Sequence, residues 1–104
     1  YSMGFADATG FRAGTATPFP WYDLEAEKHT ELMVFPFQAM DATLLHYMKL
    51  SPDAALDQLE TLLRRTRSVG GVFSTLWHNS SFSSLGGWAG WQSVYESLVK
   101  SAIE

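Results

Sequence analysis

Residues 51–78 constrain the fold more than any other stretch. They read as a capped amphipathic helix that stops at a glycine pair and leads straight into a strand. Ser51 supplies an N-cap oxygen, Pro52 fits the first turn, and Asp53 suits the positive end of the helix dipole. Leu56, Leu59, Leu62 and Leu63 then recur at helical spacing, with charged residues on the other face. Gly70-Gly71 ends the helix. Val72-Phe73-Ser74-Thr75-Leu76-Trp77 follows, a β-branched and aromatic run that predicts a strand, and His78 stands just past its end.

The rest of the chain fits the same plan. Residues 1–6 alternate weakly and predict a strand or the tail of one. Residues 7–22 are rich in Gly, Thr, Ala and Pro and predict a long loop carrying aromatics and Arg12. Leu32-Met33-Val34-Phe35-Pro36-Phe37-Gln38 reads as a buried strand, with Pro36 marking where pairing stops. Residues 40–49 predict a short helix or turn holding Asp41 and His46. A Ser/Gly/Trp loop spans 79–90, and a last helix starts near Trp91 and runs through Val94, Tyr95, Leu98 and Ala102. No internal repeat is present. Strands alternating with amphipathic helices indicate an α/β fold with a mainly parallel sheet. Two or three strands make a poor independent sheet, because a parallel sheet needs cover on both faces. Residues 1–104 are therefore expected to form a single partial domain, the C-terminal part of a larger α/β unit. The expectation includes exposed strand edges and a broad apolar face. A missing N-terminal half, or a second copy in a homo-oligomer, would cover them.

Bulk properties narrow the function. The chain has 104 residues, enough for one small domain, and 46% are hydrophobic, which argues against disorder. Four Trp, seven Phe and four Tyr exceed what a modest core needs, so some should line a surface or cleft. The formal net charge of −4 leaves no strongly basic face, which argues against nucleic acid or an anionic membrane as partner. The cluster Arg64-Arg65-Arg67 alternates with acids on a helix and reads as a solvated face. There are no cysteines, so disulfides, thiol catalysis and cysteine-rich zinc sites are excluded. No apolar run approaches the ~18 residues of a transmembrane helix. Tyr1-Ser2-Met3-Gly4-Phe5 lacks the pattern of a signal peptide. The chain does not begin with Met, and its start is expected to lie inside a longer protein. The compartment stays open.

Three residues stand out chemically. His78 lies at the C-terminal end of its strand, where open α/β sheets and α/β barrels place ligands. Histidine there exchanges protons near neutral pH, or else simply caps the loop backbone. Arg12 sits in the first loop beside Phe11. Its fork suits a carboxylate, and an exposed loop cation is the plainer reading. Asp41 follows the second strand. It can accept the ring N–H of His78, or serve as an N-cap before Ala42-Thr43-Leu44. His29 and His46 read as incidental, and the three histidines lack zinc-motif spacing. Phe19, Trp21, Tyr22, Phe82, Trp88 and Trp91 are aromatics of loops or loop edges, either platforms for sugar rings or ordinary anchors.

In order and spacing these pieces resemble the second half of the NodB-homology polysaccharide deacetylases, carbohydrate esterase family 4. Phe11-Arg12 looks like that family's loop arginine, Asp41 in Phe37-Gln38-Ala39-Met40-Asp41 like its histidine-tuning aspartate, and Leu76-Trp77-His78 like its Leu-x-His. Gly10-Phe11-Arg12-Ala13-Gly14, Pro18-Phe19, Trp21-Tyr22-Asp23-Leu24 and Trp77-His78-Asn79 look like an atypical bacterial branch. The resemblance covers nearly the whole chain. It departs at Ala13-Gly14-Thr15, where the family has Pro-Pro-Tyr, and no Trp follows Asp41.

The resemblance implies the C-terminal part of a distorted (β/α) barrel and a metal-dependent hydrolase acting on acetylated carbohydrate. His78 would protonate the leaving amine or alkoxide, Asp41 would hold His78, and Arg12 would hold a catalytic base. Leu76 would line the acetyl pocket, with Trp77, Phe19, Trp21, Tyr22 and Trp88 as further substrate-binding side chains. The family's aspartate pair and its His-x3-His, which supply the base and the ligands of a divalent, zinc-like metal, do not occur here. The chain alone is thus expected to be inactive. The competing expectations are a non-catalytic carbohydrate-binding or interaction domain derived from the same barrel, and an independent small α/β domain.

Overall fold

The computed structural model describes residues 1–104. Helix α1 (Pro52–Ser68) starts as the sequence predicts, with Ser51 Oγ accepting from the Ala54 amide at 3.2 Å. It buries Ala55, Leu59, Leu62, Leu63 and Thr66. At its end, Gly70 takes a positive φ of 66°, and the Gly71 amide returns to the Thr66 carbonyl. Helix α2 (Trp91–Ile103) follows left-handed Gly90 and turns Trp91, Val94 and Leu98 inward. The two helices pack together, and Arg67 Nη2 donates to the carbonyls of Ser101 (2.7 Å) and Ala102 (2.9 Å). That cation occupies the negative end of the α2 dipole. The core consists of these buried side chains with Ala39, Leu44 and Trp88. No helix is long and apolar enough to cross a membrane.

Five strands complete the fold: β1 (Ser2–Met3), β2 (Phe19–Asp23), β3 (Lys28–Pro36), β4 (Ala39–Met40) and β5 (Thr75–Leu76). They form a three-stranded sheet in the order β1-β3-β2 and a two-stranded sheet, β4-β5. β1 runs parallel to β3, β4 runs parallel to β5, and β2 runs antiparallel to β3. Between β3 and β4, the Phe37 amide bonds Met3 O at 2.8 Å and the Gln38 amide bonds Ser74 O at 2.9 Å. Backbone 28–40 therefore behaves as one extended rail, flanked first by β2 and β1 and then by the chain entering β5.

The structure corrects several expectations. The fold is mixed α/β in two small sheets, with two of the three strand pairings parallel and one antiparallel, and this chain shows no barrel. The longest pairing is the antiparallel β2–β3 hairpin. Residues 19–23 were expected in a loop because prolines surround them. On an edge strand, however, the missing N–H of Pro20 costs no ladder bond. Asp23 Oδ1 closes the hairpin turn by accepting from the amides of Glu25 (2.9 Å) and Ala26 (3.1 Å). The strand expected over 72–77 shortens to 75–76, since the Val72 amide bonds Ala16 O at 2.8 Å instead. Residues 40–49 hold a π-helical turn, Thr43–Tyr47, closed by the Met48 amide on Thr43 O.

The hairpin projects from the helical body. The radius of gyration is 15.1 Å and the extents are 48 × 29 × 19 Å. A compact domain of this length would have a radius of about 13 Å. Leu32, Met33 and Phe35 of β3 are 51%, 40% and 49% exposed. Met33 and Phe35, two residues apart on β3, share one exposed face of the hairpin.

Candidate functional site

Register brings Asp41 and His78 together. β4 and β5 are parallel neighbours with Met40 opposite Leu76. Asp41 is one residue past Met40 and His78 is two past Leu76, so both leave the sheet at the same end. The Asp41 carboxylate is fully buried and satisfied by three donors. Oδ1 accepts from His78 Nδ1 at 2.7 Å and from the Ala42 amide at 2.6 Å, and Oδ2 accepts from the His78 amide at 2.7 Å. A buried carboxylate without such donors would be costly. Asp41 thus holds both the backbone and the ring of His78.

The consequence for the imidazole is specific. With Nδ1–H donating to Asp41, the neutral ring carries its lone pair on Nε2. The His78 side chain is 58% exposed, so Nε2 is the nitrogen left for a ligand. In the charged form the same nitrogen carries a transferable proton. The arrangement suits proton transfer at Nε2, with Asp41 fixing ring orientation.

Neighbouring contacts hold this geometry. Buried Ser81 donates from Oγ to His78 O at 2.7 Å, and its amide meets the same oxygen at 3.2 Å. Trp77 Nε1 donates to Thr75 Oγ1 at 3.1 Å, and its ring packs edge-on against Tyr95 with centroids 5.3 Å apart. Phe82 joins the cluster, edge-on to Tyr95 at 5.1 Å. Upstream, Gln38 Oε1 accepts from the Ser74 amide at 2.8 Å and ties the two strands together before they diverge. Sequence reasoning missed Gln38 and Ser81. Gln38 was visible only as a lone polar residue in an apolar run, and Ser81 as one of several loop serines.

The other expected site residues divide by position. Leu76 and Trp77 are half-buried next to His78 in the chain. Arg12 is exposed and donates from Nη1 to Gly4 O at 3.0 Å, so it reaches no carboxylate here. Phe19 is half-buried in β2, while Trp21 and Tyr22 are exposed on the hairpin. Tyr22 pairs with His29, twelve residues before Asp41 along the rail. Tyr22 packs edge-on against His29 with centroids 5.2 Å apart, and the Trp21 carbonyl accepts from Thr30 Oγ1. Trp88 is a core residue, 7% exposed and edge-on to both Trp91 and His46. Its place in a glycine-rich stretch suggested a loop platform, but the stretch folds back onto the helices. No group of three or more His, Asp or Glu side chains converges as a metal site would require.

No protein-family model matches this chain, and no curated protein or solved structure matches it.

Proposed function

We propose that the Asp41–His78 pair serves proton transfer in a metal-dependent, polysaccharide deacetylase-like hydrolase that removes acetyl groups from a glycan. The observation that supports this reading most is the buried carboxylate on Nδ1 of a histidine whose ring is otherwise open to solvent. In the proposed reaction, His78 Nε2–H donates its proton to the leaving amine or alkoxide as the bond to the acetyl carbon breaks. Asp41 keeps the ring aligned and balances its charge. The order of Arg12, Asp41 and Leu76-Trp77-His78 along the chain supports the same reading. A zinc-like metal would polarise the acetyl carbonyl and activate water. This chain's residues do not fit as its ligands, so the reading assigns metal and base to a part of the protein outside it, and no step here runs through them. The hydrogen bond of Arg12 to Gly4 leaves its role towards an acidic base resting on the resemblance.

A carbohydrate-binding module derived from the same barrel is the second reading, favoured by the exposed aromatic pair Trp21 and Tyr22. Acetate release from an acetylated glycan, measured with the longer polypeptide that the first reading requires, separates the two. His78→Ala is expected to lower kcat by about 10²-fold or more, the usual worth of a positioned general acid. An unchanged rate would remove His78 from the chemistry, and no acetate release from the unmodified polypeptide would favour the binding module.

A further inference from the structure

A cleft lies away from His78. It has a volume of about 420 Å³, and its lining includes Phe11, Thr15, Thr17, Arg65, Ser68 and Val69. It opens at the C-terminal end of α1 (Ser68), from which the chain runs by way of Gly71 and Val72 to the start of β5 at Thr75. Asp41 and His78 sit beyond the other end of that strand.

Its walls are held in place. The Val72 amide bonds Ala16 O at 2.8 Å. Gly71 packs so closely that a Cβ there would lie 2.5 Å from Ala16 Cβ. Within the loop, the Thr15 and Thr17 hydroxyls share a hydrogen bond of 2.8 Å, and the Thr17 amide donates to Thr15 Oγ1. This cleft is therefore a built feature, consistent with the size of small-molecule pockets.

Arg65 is the unusual member. Every other arginine has a fixed partner: Arg12 on Gly4 O, Arg64 on Thr61 Oγ1, Arg67 on the end of α2. Arg65 has none, and no acid pairs with it, since the one carboxylate ion pair is that of Asp41 with His78. A helix C-terminus ordinarily repels anions. Here three of the last four helix carbonyls are already occupied: Arg65 O accepts from Ser68 Oγ, Thr66 O from the Val69 and Gly71 amides, and Arg67 O from the Gly70 amide. That reduces the repulsion an anion would meet, and Arg65 supplies an unpaired cation beside it.

We infer that this cleft binds a small organic carboxylate. The carboxylate pairs with the Arg65 fork, hydroxyls on the ligand meet Thr15 and Thr17, and its carbon skeleton lies against Phe11 and Val69. A bare inorganic anion would leave that apolar wall unused. The inference stands apart from the hydrolase reading, because it uses none of the residues at the Asp41–His78 end.

The test is an amide NMR titration of the folded chain with glucuronate as probe, beside glucose, inorganic phosphate and chloride at matched concentration and ionic strength. Saturable shifts confined to Thr15, Thr17, Ser68, Val69 and their neighbours are expected with glucuronate, and not with glucose or chloride. Arg65→Gln, an exposed substitution whose spectrum reports its own folding, is expected to weaken glucuronate at least tenfold. Absence of saturable shifts overturns the inference. So does an equal response in the variant. Phosphate binding as strongly as glucuronate would also overturn it, leaving only a general anion site.

Discussion

One extended backbone, residues 28–40, serves two unlike regions. Its first part pairs with β2 in the projecting hairpin, where Leu32, Met33 and Phe35 stay exposed. Its last part, beside β5, is covered by α1, α2 and the segment 79–90, and there Ala39 and Asp41 are buried. Strand geometry is common to both parts. What differs is cover, and cover decides what chemistry each end can hold. One of the hairpin's own carboxylates, Asp23, is met only by two amides of its turn and stays open to water on the other side. At the covered end, Asp41 must be met by protein donors, and meeting them fixes His78. The exposed apolar side chains of the hairpin have no such cover within this chain.

That contrast can be broken most severely from the covered end. Trp91→Ala removes a buried ring that packs on Trp88, and should cost about 3–5 kcal/mol in urea unfolding. A cost below about 1 kcal/mol, of the order found for surface positions, would mean that the helical cover is not the stabilising region. Asp41→Asn is expected to have the next largest effect. It sets an amide nitrogen against at least one of the three donors now facing the carboxylate, at a cost of about 1.5–3 kcal/mol. The same substitution should change the ring tautomer of His78, which ¹⁵N NMR reads directly. An unaltered Nδ1–H population would show that Asp41 does not set the tautomer. The smallest effect belongs to the hairpin. Met33→Ser with Phe35→Ser should change stability by only about 0.5 kcal/mol each. The pair should nevertheless reduce self-association in sedimentation, because the exposed apolar face is lost. If the double variant unfolds the chain, the hairpin is part of the cooperative core and the contrast fails.

Much of the helical end was legible in advance. Ser51, Pro52 and the leucine spacing define α1 by local rules, and Gly70-Gly71 stops it. The pairing of Asp41 with the His78 ring was also legible as one of two roles for that residue, since each residue follows a strand. Its second oxygen on the His78 amide was not legible, because that bond depends on how far each chain runs past the paired residues Met40 and Leu76. The hairpin was misread for a different reason. Pro18, Pro20 and the flanking small residues are loop signals along the chain, yet on an edge strand a proline loses no bond. The sequence left Trp88 open between sugar platform and loop anchor, and only its packing against Trp91 makes it an anchor.

The sequence by itself determined where α1 begins and ends, where α2 begins, which of their faces are apolar, and that a histidine and an aspartate each follow a strand. These are short-range properties, set by caps, spacing and backbone preference. Only the tertiary structure decided that β2 runs antiparallel to β3, that Trp88 is core, and that Arg65 alone among the arginines is left without a partner beside a cleft. Each of these depends on groups far apart in the chain, whose meeting is governed by which surfaces find cover and not by the residues beside them.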